Sequence, residues 1–238
     1  MYSDPRGARL NTTASTIFAV ALIGGGLAGA ILSGARIIAV DPLILRAESY
    51  EVAATDGPTT GAAPWAPRQG VERTAYTALM STLTAIGFGL ILSAAIALRG
   101  RPVGWRNGLA WGLAGFAAVH VAPALGLSPA LPGAPAEALV ERQIWWVATV
   151  ALSAGGIAII AFAQRTSLTP LGLVLLAAPH IVGAPAGGAA AGLAPADLER
   201  SFVYASMLTN GIFWLALGGL SGMLFNRFQG VRPPSPRT

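Results

Sequence analysis

Six stretches of nearly uninterrupted apolar residues divide this chain, and the short segments between them hold almost all of its charge. The stretches run roughly 14–40, 76–98, 105–125, 143–163, 168–182 and 202–225. A helix needs about 20 apolar residues to cross the hydrocarbon core of a bilayer. In lipid the backbone must satisfy its own hydrogen bonds, which leaves helices and closed barrels. Long apolar runs without apolar–polar alternation predict helices. The composition agrees, with 11% charged residues, 54% hydrophobic residues and mean hydropathy +0.62. A soluble domain carries about a quarter charged residues. Intrinsic disorder is excluded by the apolar content and a disulfide scaffold by the absence of Cys. The expected fold class is an all-α integral membrane protein, a single transmembrane domain over residues 1–238. Short disordered tails are expected at 1–13 and 228–238.

The charges predict orientation. All 15 basic residues are Arg, and a net charge of +5 in a membrane chain reads as topology rather than nucleic-acid binding. The N-terminus (Arg6, Arg9), the second loop (Arg99, Arg101, Arg106), the fourth loop (Arg165) and the C-terminus (Arg227, Arg232, Arg237) hold nine Arg and one acid, Asp4. The other three loops hold five Arg (Arg46, Arg68, Arg73, Arg142, Arg200) and nine acids. Those acids are Asp41, Glu48, Glu51, Asp56, Glu72, Glu137, Glu141, Asp197 and Glu199. Six spans in three helical hairpins, both termini cytoplasmic, separate the charges cleanly. Five spans, an alternative raised by Pro179 inside the short fifth stretch, would put the Arg-rich C-terminus outside. The first stretch is too long for a signal-peptide core and is followed by further spans, so it is expected to be retained.

Each even-numbered stretch is preceded by a similar phrase: Ala66-Pro67 through Glu72-Arg73, Ala134-Pro135 through Glu141-Arg142, and Ala194-Pro195 through Glu199-Arg200. Three hairpins descended from one unit would account for it. So would the ordinary preference of Pro and acidic residues for helix starts. Polar residues recur at helical spacing in the even stretches: Thr74, Thr77, Ser81 and Thr84; Thr149, Ser153 and Gly156; Ser206, Asn210 and Trp214. The odd stretches carry Gly-x-x-x-Gly pairs, Gly25/Gly29 and Gly108/Gly112. Both patterns suit helix packing, and a hydroxyl-lined pathway is the functional alternative.

Residues able to carry chemistry are few. Arg36 lies about one turn inside the end of the first stretch, from where its head could snorkel to the lipid headgroups. Asp41-Pro42 reads as an N-cap followed by proline, opening a short helix through Glu51. Glu48 and Glu51 share a face of that helix. The two His residues, His120 and His180, close the third and fifth stretches. Imidazole binds borderline divalent metals, and carboxylates can complete the set, so the candidate metal ligands are His120, His180, Glu48, Glu51 and Glu141. Packing at a helix end is the alternative for each His. A P-loop, a Gly-x-Ser-x-Gly elbow and a plausible Ser–His–Asp set are all absent, so no enzymatic activity is expected.

Several ordered motifs are similar to one known family. They are Pro42-Leu43-Ile44-Leu45 with Ala47-Glu48 and Tyr50-Glu51; Pro123-Ala124-Leu125-Gly126-Leu127 continuing into Leu131-Pro132-Gly133; Arg142-Gln143-Ile144-Trp145-Trp146; Pro179-His180-Ile181-Val182-Gly183-Ala184-Pro185; and Asn210-Gly211-Ile212-Phe213-Trp214. Together they resemble the CbtA family of probable cobalt transporter subunits, over roughly Ile17 to Arg227. One departure is Ser128-Pro129-Ala130, where the family pattern carries Pro-Glu. The resemblance implies a multi-pass protein of the bacterial inner membrane, linked to cobalt uptake for cobalamin synthesis. It also implies a small single-span CbtB-type partner with a His-containing metal motif. The expected function is a membrane subunit for uptake of cobalt or a similar divalent ion, with no permanently bound cofactor and no nucleic-acid partner. The surrounding partner is the lipid bilayer, and self-association stays open. A non-transporting scaffold of another complex is the alternative.

Overall fold

In the computed structural model, the described residues are 5–54, 65, 67–133, 139–163, 165–185 and 192–230. Among them there are helices and no strands. The helices are α1 (Pro5–Ala39), α2 (Asp41–Ala54), α3 (Val71–Arg99), α4 (Trp105–Phe116), α5 (Ala122–Ala124), α6 (Leu139–Phe162), α7 (Thr169–Val182) and α8 (Ala196–Gly230). A π-turn at Ala117–Val121 joins α4 to α5 without a break, and a 3₁₀ turn at Thr166–Leu168 leads into α7.

Every expected apolar stretch is helical, but the lengths differ from expectation. Among the described residues, four helices are long and apolar enough to cross a membrane: Thr13–Ala39 of α1, α3, α6 and Ala196–Phe228 of α8. The third stretch is continuous but broken in type, with 12, 5 and 3 residues in α4, the π-turn and α5. Pro123 explains this locally, because it has no N–H for an α-helical bond and its ring crowds the carbonyl four residues back. The Ala122 N–H accordingly reaches five residues back to the Ala117 carbonyl. The fifth stretch ends after 17 residues, Thr166–Val182, at Gly183 with φ +83°. At about 1.5 Å per residue it falls short of a 30 Å hydrocarbon core.

At the chain ends, α1 starts at Pro5 and α8 continues to Gly230, inside both expected tails. Residues 1–4 and 231–238, and Ala66, Ala134, Pro135 and Glu137 of the repeated phrase, lie outside the described residues. Glu72, Glu141 and Glu199 each stand in the first turn of their helix, where the macrodipole alone favours an acid.

The chain divides into two compact units. One comprises Met1–Gly34, Pro67–Leu113 and Gly211–Thr238; the other comprises Ala35–Ala66 and Ala114–Asn210. The first is a glycine-tight bundle. A Cβ added to Gly25 would lie 2.8 Å from the Ile86 Cα, and one on Gly29 would lie 2.7 Å from the Thr82 Cα. Gly89 approaches Ala21 in the same way, so α1 and α3 run antiparallel at near backbone contact. Gly108 and Gly112 of α4 meet Gly218 and the Trp214 carbonyl of α8, again antiparallel. Both Gly-x-x-x-Gly pairs are therefore packing seams, as small residues commonly are between apolar helices. Phe88 packs against Trp214 (ring centroids 5.1 Å apart) and Phe213 (6.4 Å).

In the second unit, α6 and α7 are antiparallel and close at Gly156 and Gly172. Helix α2 contributes Ala47 to a cluster with Val40, Leu131, Ala194, Leu198 and Phe202. Large apolar side chains face outward on both units, among them Leu22, Leu27, Leu83, Ile91, Val147 and Val174. Such surface is unfavourable in water and matches a hydrocarbon surround.

Candidate functional site

All five expected ligands belong to the second unit. His120 stands in the π-turn and is half-buried. Phe116, one turn earlier, stacks on the imidazole at 6.0 Å and 25°, and the His120 side chain is hydrogen-bonded to Asn210 of α8. The Asn210 amide nitrogen in turn donates to the Ser206 carbonyl at 2.8 Å. His180, half-buried in the last turn of α7, meets the edge of Trp145 at 6.3 Å. The Trp145 indole N–H donates to the Pro179 carbonyl at 3.3 Å. Gly126 lies close to the same indole, so that an added Cβ there would come 2.8 Å from its Cζ2 and 3.0 Å from the Ala184 Cβ. Trp145 is thus the hub that ties α6 to the end of α7.

Glu48 and Glu51 are half-buried on α2. Glu51 lies over Gly133, whose φ is +77°; an added Cβ there would meet the Glu51 Cγ at 3.0 Å and Oε1 at 3.3 Å. A side chain at 133 would thus be strained by the backbone and also push the carboxylate away. Glu141 is exposed in the first turn of α6. Among the described residues, no three His, Asp or Glu converge as a group able to hold a metal. The five expected ligands share a unit without forming one shell.

The remaining polar candidates divide by role. Thr149 Oγ1 donates to the Trp145 carbonyl, Ser33 Oγ to the Gly29 carbonyl and Thr209 Oγ1 to the Ala205 carbonyl. These hydroxyls bond back to their own helix, as Ser and Thr do inside apolar segments. Thr149, Ser153 and Gly156 do form one buried face. Of the first stripe only Ser81 is buried, while Thr74 and Thr84 are exposed. The hydroxyls of Ser93, Ser153 and Ser221 are buried with no hydrogen-bond partner among the described residues. The Arg36 Nε is buried without a partner as well, in the last turn of α1. Asp41 stands in the first turn of α2, as its first helical residue, rather than capping it. The short helix expected from Asp41 to Glu51 continues to Ala54.

Sequence reasoning missed the contacts that hold the two His rings. Trp145, Gly126 and Asn210 were visible as motif residues, but their pairing with residues distant along the chain carries no local signal.

Apolar helices of bilayer-crossing length, faced outward by large aliphatic side chains, define the class as a helical membrane protein. The family model for "Probable cobalt transporter subunit (CbtA)" matches residues 14–226 of the 238, and the chain belongs to that family. The family is one of transporter subunits, components of a larger assembly. No curated protein and no solved structure matches the chain.

Proposed function

We propose that this chain is the membrane subunit through which cobalt, or a divalent ion of similar chemistry, enters a bacterial cell across the inner membrane. The observation that carries the reading is the family match over residues 14–226. Four apolar helices of crossing length support it, and so does the gathering of His120, His180, Glu48, Glu51 and Glu141 in one unit. In this reading the chain crosses six times with both termini cytoplasmic, and the acid-rich loops attract cations outside. Neutral imidazoles and carboxylates then replace part of the ion's water, a mixed nitrogen and oxygen set suited to cobalt or nickel. With no three of these donors at one point, the rest of the coordination shell comes from water or another subunit. A small single-span CbtB-type partner bearing His is the natural supplier. Selectivity over copper and zinc, which bind such sites at least as well, would rest on geometry, ion availability or that partner.

The glycine-tight packing of the first unit favours a second reading, a scaffold that stabilises a transporting subunit without passing the ion itself. Cobalt accumulation by cells with and without this chain separates the two, provided the small partner is present in both. The proposal expects accumulation to depend on the chain and to rise with partner co-expression. Purified chain and partner in liposomes should then also admit cobalt. Liposomes that stay closed to cobalt, beside cells that need the chain, would establish the scaffold.

A further inference from the structure

The neighbours of His120 form a short relay with a defined direction at one end. The Asn210 amide nitrogen donates to the Ser206 carbonyl, one turn back on α8, at 2.8 Å. That bond ties the amide to its own helix and orients its plane. The other end of the relay is the hydrogen bond between Asn210 and His120. Phe116, stacked at 6.0 Å and 25°, restrains the imidazole plane from the side. The π-turn displaces this part of the helix, His120 included, from regular α geometry.

We propose that Asn210 is a positioning residue. Its amide oxygen accepts a hydrogen bond from one ring nitrogen of His120 and holds the imidazole in a single neutral tautomer, with the lone pair on the other nitrogen. A neutral imidazole carries one donor and one acceptor nitrogen, and the partner of the donor decides which is which. Metal-binding His residues commonly use this device, donating their second N–H to a fixed acceptor. For its purpose the inference rests on His120 being a ligand for the passing ion; the tautomer is a separate observable.

The chain has only two His, so ring-¹⁵N-labelled His gives few signals, and His180→Gln assigns them. With the full chain in lipid nanodiscs at neutral pH, His120 should show one protonated and one lone-pair nitrogen, without exchange between them. Asn210→Ala should collapse the two towards averaged shifts, whereas Asn210→Asp, which keeps an acceptor, should preserve the single tautomer. Zinc, a diamagnetic probe, should shift the lone-pair nitrogen, and Asn210→Ala should weaken its binding about 10–100-fold. An averaged His120 signal in the unsubstituted chain, or an unchanged one in Asn210→Ala, would overturn the inference. A single tautomer that zinc does not perturb would support the role of Asn210 and count against His120 as a ligand.

Discussion

His120 and His180 end their helices in different company. One is stacked by Phe116 and bonded to Asn210; the other meets the edge of Trp145, which is itself fixed to the Pro179 carbonyl. Trp145→Phe keeps an aromatic ring, smaller than the indole, and removes the bond across α6 and α7. It should lower stability by about 1 kcal/mol, the usual net value of a hydrogen bond, read as a lower melting temperature in detergent. An unchanged melting temperature would mean that the indole N–H adds nothing. At this scale the sequence was informative about residue identity and silent about partners. Two His in a chain with no Cys stand out at once, because few other side chains offer nitrogen to a metal. That Trp145 reaches Pro179 is a tertiary fact, set by the α6–α7 crossing at Gly156 and Gly172.

Between elements, glycine decides how close two helices come. Gly108 faces the Gly218 carbonyl, and a methyl group there has no room. Gly108→Ala should destabilise the first unit by about 1–3 kcal/mol, the typical cost of overpacking. Gly26, in the same glycine-rich run of α1, has nothing within 4 Å of an added Cβ. Gly26→Ala should leave stability within about 0.5 kcal/mol of the starting protein. Thermal melts of the two variants side by side check the pair; equal effects would contradict the packing described. The Gly-x-x-x-Gly spacing made these seams readable because close approach repeats every helical turn. The π-turn was not readable in that way. Pro123 announces a disturbed helix, but whether the helix kinks, ends or widens depends on what packs against it. Pro179, by contrast, sits within α7 without ending it; the helix continues to Val182.

For the molecule as a whole, the distribution of Arg predicts which ends face the cytoplasm. The absence of native Cys makes single-Cys labelling a direct test. Gln69→Cys and Ser128→Cys, at exposed positions, should react with an impermeant thiol reagent from outside. Asn107→Cys and Ser167→Cys, also exposed, should react only after the membrane is opened. Labelling of Asn107→Cys in intact cells would contradict the six-span orientation. The helical class was legible from the apolar runs alone, since lipid permits few other structures. The number of crossings was less so: the fifth stretch is short, and the third contains the π-turn.

In the proposed function His120 and His180 carry the ion. The most direct test of that role is cobalt accumulation by cells that make the CbtB-type partner and either this chain or its His120→Ala/His180→Ala double variant. Membrane expression is matched by immunoblot. Each single substitution should impair accumulation, and the double variant should fall to the level of cells lacking the chain. Accumulation by the double variant at the unsubstituted rate would make the two His residues helix-end packing and contradict the account.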